Sequence, residues 1–574
     1  MPAVELPEGE QISAVRCTRA QYFRHEIALV LSRMESGQDR KISLRKQARG
    51  MDIPESTLRY WIQHLQGHVL EPEALAFFVS PAGVRFLHRQ MTAQMLVFGL
   101  MGGCGPSQQR FFLQMIGLNS LVACSDTTLR TQMRRLQDAV VSWGECTRSE
   151  LAKTMPLRNV SLGVDETFFA KMVLVGMDVS AGFILLEKYS ERRDAQTWQK
   201  AVESGKEGLK INVVQVVGDQ AKALCALARD RLGVAKIEDL WHGQNAITRG
   251  TAGALVAKEE AARRELEKAS EEREHVSKSK EAYLRQPGRG HPPNWSARET
   301  HAQKRVDAAD SALTSATQHR DSLRQAVCEL GNVLHPVDLK TGELQNAGKV
   351  EKELKGAFDK MDQVVQDAGL GERSQAAVNK ARRLIPSWVA SIKHWHEMVE
   401  ANFSDLVLPA ETLMLLKLVL IPLLYVNRII GQANDTVKIK ALQVIQKQLR
   451  AKLLDPQGLW RTLPTDLRRT LQAVAQDCVD LFQRSTGCVE GRNGVLSLHQ
   501  HQMRGLNPKL LASLTVIHNF VIVRSDGSTA AMRFFGREPD QPLFEHLCQV
   551  LPPPARPRKR ARQPKEDILG VGSA

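Results

Sequence analysis

Residues 160–188 and 211–219 interrupt a chain whose other long stretches carry apolar residues at helical spacing, and this change of period constrains the fold most. Val160–Asp165, Met172–Val179 and Phe183–Lys188 are short runs rich in Val, Ile, Leu and Met, the length and composition of strands. Ser180-Ala181-Gly182 leaves room only for a tight turn, so the second and third runs are expected to form a hairpin. A helical stretch over Ala195–Ser204 precedes a fourth run, Ile211–Gly218. This order predicts a mixed sheet, because a crossover helix lets the first and fourth strands lie parallel and adjacent.

That arrangement bears on the acids. The first run leads straight into Asp165 and Glu166, and the fourth into Asp219. A solvated strand end accounts for any one of them. On neighbouring parallel strands, however, Asp165 and Asp219 come within a few ångströms of each other and repel. Divalent cations between them make a hard-oxygen site suited to Mg²⁺. Two metals held in this way activate a nucleophile and stabilise a leaving oxygen at a phosphodiester. Strand alternation turns Glu166 to the other face, and Asp178, inside the second run, reads as structural.

The charge balance indicates what such a site meets. The chain of 574 residues has a formal net charge of +15, which calls for a polyanionic partner, either nucleic acid or an anionic membrane. The most apolar stretch, residues 413–430, is interrupted by Lys417, Pro422, Asn427 and Arg428 and reads as a buried helix, so no membrane partner is expected. Nine cysteines, none in a CxxC pair, read as reduced thiols without structural zinc. MPAVELPEGE at the start has neither the basic nor the apolar region of a signal peptide. The expected location is cytoplasmic and nucleoid-associated.

Two stretches before the sheet are candidates for reading DNA. In residues 43–65, SLRKQARGMDIPESTLRYWIQHL, a short helix meets a Gly50 turn and a second helix starts at Pro54. Ala48, Ile53, Leu58 and Trp61 are spaced to pack the two together, as in a helix-turn-helix, leaving Glu55, Ser56, Arg59 and Tyr60 for the groove. Any helical hairpin shares that pattern. Residues 118–140 give a second candidate, with Ser125 as helix cap and Arg130, Arg134 and Arg135 available for phosphates.

Residues 482–506, FQRSTGCVEGRNGVLSLHQHQMRGL, open a helix near Glu490 and set Asn493, Ser497 and His501 on one face. With Asp165 and Asp219 at their strand ends and this VEGRNG stretch, the chain resembles the DDE transposases of the RNase H-like (retroviral integrase) superfamily, the kind encoded by bacterial insertion sequences. The resemblance covers most of 159–250 and 480–548. It lacks the Tyr–Arg–Glu–Lys arrangement that some such enzymes carry around their glutamate. The resemblance implies Glu490 as the third carboxylate, making Asp165, Asp219 and Glu490 the catalytic residues and the ligands of two Mg²⁺ ions, with Mn²⁺ able to substitute. Glu490 to Asn493 looks like the family's terminal motif, which sets Arg492 against DNA and Asn493 beside the site. Asp239 and His242, in D-x-x-H spacing, resemble a motif that precedes a helical insertion in some members, and are expected to support the site. The plainer reading of His242 is a half-buried structural histidine. The implied chemistry is hydrolysis at an element end, freeing a 3′-OH that attacks target DNA. Double-stranded DNA, as element ends and target, is the implied partner. Two ends imply a homodimer or larger assembly.

Roughly 270 residues separate Asp219 from Glu490, too many for a loop. Residues 256–330 read as a long helical hairpin of coiled-coil kind turning at QPGRGHPPNWS, where Trp295 either caps local packing or stacks on an extruded base. The expected organisation is multidomain. A helix-turn-helix module (1–78) and a second helical module (79–150) precede an α+β RNase H-like core with a mixed sheet (155–250 and 481–550). An all-helical insertion (251–480) interrupts the core, and a basic disordered tail (551–574) follows it. A DNA transposase is the reading these features favour. A non-catalytic DNA-binding regulator derived from such an enzyme, or a structure-selective nuclease with the same core, fits them too.

Overall fold

The computed structural model describes residues 43–50, 53–65, 74, 77–78, 80–169, 171–404, 406–502, 505–524 and 526–555. Residues 1–42, the tail beyond 555, and the side chains of Tyr60 and Trp61 lie outside them. The chain divides into two units, residues 1–155 with 494–574, and residues 156–493.

The first unit is helical. Leu44–Gly50 and Glu55–Leu65 are linked by a hydrogen bond from the Ile53 N–H to the Ala48 carbonyl (2.9 Å), with Ala48, Ile53 and Leu58 buried. Helix Pro81–Gln94 runs on as a π-helical stretch, Met95–Met101. The glycine-rich break that follows includes Gly103 at φ +66°, a conformation open to glycine, before helix Pro106–Met115. Ser125 caps helix Asp126–Thr154 by accepting the Thr128 N–H (3.2 Å). That helix packs on Pro508–Phe520: Trp143 meets Phe520 edge to face at 5.4 Å, and a Cβ at Gly144 would lie 2.4 Å from Val516. This contact corrects one boundary. Residues 494–550 join the N-terminal helices, where the sequence had assigned 481–550 to the sheet domain.

The second unit holds one five-stranded mixed sheet in the order β3-β2-β1-β4-β5. The strands are β1 (Arg158–Phe168), β2 (Met172–Asp178), β3 (Phe183–Ser190), β4 (Ile211–Gly218) and β5 (Ala235–Glu238). The first three form an antiparallel meander, whereas β4 lies parallel to β1 after the helix Ala195–Lys206, and β5 parallel to β4. Val160, Leu162, Val164, Val216 and Val217 are almost fully buried. The rest of the unit is helical. Leu240–Arg285 and Trp295–Val333 make the long hairpin, and further helices build a core around Phe358, Trp388, Trp395 and Tyr425. Ala410–Gln432 is long and apolar enough to cross a membrane, but Leu416, Leu420, Ile421, Tyr425 and Val426 bury into that core.

Candidate metal centre

The strand registers bring the acids together. Gly163 of β1 pairs with Val217 of β4, and Gly218 of β4 with Glu238 of β5. Continued for one or two residues, these registers set Asp165, Asp219 and Asp239 level across the C-terminal ends of three parallel strands, each spaced about 4.8 Å from the next. Asp165 is not the last residue of its strand, as the sequence suggested. β1 continues to Phe168, paired there with β2 alone, so Asp165 lies just beyond the last β1 residues paired with β4.

The helix Gly487–Gln502 brings Glu490 to this row. Its first turn presses on β1 at Gly163, where a Cβ would stand 3.1 Å from Val489 and 2.6 Å from Val179, so only glycine allows the approach. The Asn493 amide donates to Asp165 Oδ2 (2.7 Å), and the Glu166 N–H to Asp165 Oδ1 (2.9 Å). Asp219 accepts the Ala221 N–H (2.9 Å). Asp239 caps the Leu240–Arg285 helix through the Trp241 N–H (2.7 Å), and its other oxygen takes the Thr486 N–H (2.8 Å) and the Thr486 hydroxyl. Both oxygens of Asp239 are thus occupied in joining the two helix starts. Both oxygens of Asp165 accept hydrogen bonds as well, so these bonds do not set Asp239 apart from it as a ligand; the helix that Asp239 caps begins at Leu240, earlier than the 251 of the sequence reading.

Glu490 is different. Its Oε1 is buried and accepts no hydrogen bond from the described residues, and His242 Nε2 lies 3.5 Å away. Ligand atoms of Asp239, His242 and Glu490 all fall within 4.8 Å of one another. Burial pushes the Asp165 carboxyl up to about 6. The Glu166 N–H and His242 act against this rise, and the charges of Asp219 and Glu166 add to it. Burial also raises Glu490, with Asp239 and Asp165 adding to the rise and His242 opposing it. Carboxylates so crowded gain from a cation. Asp239, His242 and Glu490 are the three whose ligand atoms lie close enough together that they could share a cation, and Asp165 and Asp219 flank them on the neighbouring strand ends; oxygen and nitrogen donors of this kind suit Mg²⁺ or Mn²⁺.

The other sequence candidates fall elsewhere. Arg492, expected against DNA, turns inward: its guanidinium forks onto Glu187 of β3 (2.8 and 2.7 Å), and both side chains are almost wholly buried. A bulge at Leu185 sets Glu187, opposite Val175, on the same face as Ile184 and Met177, and an acid among these buried apolar residues needs a buried partner. Glu166 does point away from the row, held by Trp198 Nε1 (3.1 Å) and Arg193. Asp178 is buried against Arg158, Ser180 and the Ala181 N–H. In the first unit Ser56, Arg59, Arg130 and Arg134 are exposed, Arg59 pairing with Glu55 at 2.9 Å. Trp295 is half-buried at the hairpin turn, between Tyr283 (5.8 Å) and Arg298 (5.4 Å).

Residues 416–563 match a family of unknown function (DUF6399), a span that takes in Glu490 and Asn493 but none of the strand-end aspartates. No curated protein matches the chain at a significant level of similarity.

Proposed function

We propose that this chain is a DNA transposase with an RNase H-like catalytic core, cutting a phosphodiester at an element end and joining the freed 3′-OH to target DNA. The observation that carries the reading is the strand register that aligns Asp165 with Asp219, together with a Glu490 oxygen that is buried, accepts no hydrogen bond from the described residues and lies within ligand distance of His242 and Asp239. When bound there, two Mg²⁺ ions supply positive charge to the phosphate and make water a stronger nucleophile. Asp165, Asp219 and Glu490 would hold them. Asn493 donates to Asp165 Oδ2 and holds that carboxylate in place. His242, beside Glu490, is placed to exchange a proton with a leaving or attacking oxygen. Thr486 and Asp239 keep the Glu490 helix on the sheet. The net charge of +15 supports a polyanionic substrate.

The test uses a supercoiled plasmid carrying this gene with its flanking DNA, incubated with full-length protein and Mg²⁺. Wild type should nick the flanks to leave 3′-OH ends and yield joined products. Glu490→Gln should bind the same DNA and do neither. Nicking without joining would favour the nuclease, and binding without nicking by the wild type would favour the regulator.

A further inference from the structure

The helix that starts at the candidate centre is also the longest in the described chain. Asp239 caps it, His242 lies in its first turn, and it continues unbroken to Arg285. At about 1.5 Å per residue, His242 to Arg285 spans roughly 65 Å. Its root is clamped. A Cβ at Gly243 would lie 2.5 Å from the Trp388 ring, and one at Gly250 would lie 2.3 Å from Ala377. Gln244 donates to the Val327 carbonyl (2.9 Å), and Ser374 to that of Gly250 (2.9 Å). Beyond the Glu259–Arg320 pair, the buried residues of the two hairpin helices are Ala269, Ala302 and Ala309. Ion pairs across the hairpin, Arg305 with Glu265 and Glu272 and Lys280 with Glu299, hold the outer part straight. The result is a stiff arm with a fixed mount.

Charge is segregated along this arm. Residues 256–281 and 299–333 carry 13 acids and 11 bases, a net negative shaft on a basic chain. Residues 282–298 carry three arginines, a histidine and no acid. Arg285, Arg289, His291 and Arg298 are exposed, and the Tyr283–Trp295 contact ties the two helix ends together beneath them. A polyanion is attracted to the basic tip, while the nearly neutral shaft offers it no comparable net positive charge.

We infer that the arm is a spacer, gripping duplex DNA at its tip while the carboxylate centre engages the same duplex about 19 bp away, at 3.4 Å per base pair. This rests on the transposase reading for the occupant of the centre. Duplex DNA has a persistence length of about 150 bp, so over this distance arm and duplex are both rods.

Arm length is the variable to test. Full-length protein is titrated with random-sequence duplexes of about 10 to 40 bp, in parallel with the plasmid nicking assay. Affinity should rise in a step near 20 bp. Deleting 262–268 together with 310–316 removes two turns from each helix in register, shortening the arm by about 10 Å. The step should then move down by about 3 bp. Arg285→Glu, Arg289→Glu and Arg298→Glu together should abolish the step and make the dependence of log K on log salt shallower by about 2.7, about 0.9 per lost phosphate contact. Circular dichroism checks that both variants keep their helices. A step that stays put when the arm is shortened, or no step in the wild type, overturns the spacer. Persistent Mg²⁺-dependent nicking would show that the catalytic reading survives that failure. Loss of nicking in the wild type would instead remove the catalytic reading.

Discussion

Removing the Arg492 guanidinium should destabilise the sheet unit and leave phosphate binding intact. Its side chain is 3% exposed and that of Glu187 is not exposed at all, and the two share a pair of hydrogen bonds, 2.8 and 2.7 Å long. Arg492→Ala leaves the Glu187 charge buried without a partner. Breaking a buried pair from one side costs about 3–5 kcal/mol, whereas replacing both partners by apolar groups of similar volume is close to neutral. Against a total stability of about 5–15 kcal/mol, the single change is large. Arg492→Met should therefore lower the free energy of unfolding by about 3–5 kcal/mol, and Glu187→Leu in the same chain should restore most of it. Urea unfolding followed by tryptophan fluorescence reads both, because Trp198 is fully buried in this unit. The salt dependence of DNA binding by the folded single variant should match wild type. Unchanged stability with a shallower salt slope would return Arg492 to the DNA-contact role and refute the buried-pair reasoning.

The Asp165 carboxyl, with a folded pKa of about 6 against an ordinary 3.8, keeps its proton in the folded protein between about pH 4 and 6 while the unfolded chain has lost it. Stability of the metal-free protein should thus decline as pH rises through that window. Asp165→Asn should stabilise at pH 7 and make no difference below about pH 4, as read by urea midpoints. Replacing 275–310 by a short Gly/Ser linker should leave the urea midpoint almost unchanged, since Ala302 and Ala309 are the buried hydrophobic residues it removes. A large drop would show that the outer arm packs on the body. Arg59→Ala should cost at most about 0.5 kcal/mol, because the Arg59–Glu55 pair is an exposed i,i+4 contact. The same change should weaken duplex binding, as measured by fluorescence anisotropy.

How far the sequence reached depended on whether a feature was local. The β2–β3 hairpin, the parallel β1–β4 pair and the Ser125 cap follow from short-range pattern and turn chemistry, and they are present. The four-residue β5 is too short and too polar to announce itself, because AKIE gains strand character only from its pairing with β4. For the same reason the sequence did not show that Asp239 aligns with Asp219. Residues that depend on distant partners were the hardest to place. Arg492 looked like a surface cation until Glu187, some 300 residues earlier in the chain, supplied its partner. The split of the Glu490 segment at residue 494 is set by packing on the Trp143 helix, and no local signal at Gly494 marks it.

The carboxylate row is tested most directly by Mn²⁺ binding to the full-length protein, followed by loss of the free-ion electron paramagnetic resonance signal. Wild type should take up about two ions per chain, as a two-metal site requires, and Mg²⁺ should compete for them. Asp219→Asn should lose at least one of these ions with its circular dichroism unchanged. A wild type that leaves the free-ion signal intact, or a variant that titrates like wild type, would mean that Asp165, Asp219 and Glu490 do not form a metal centre.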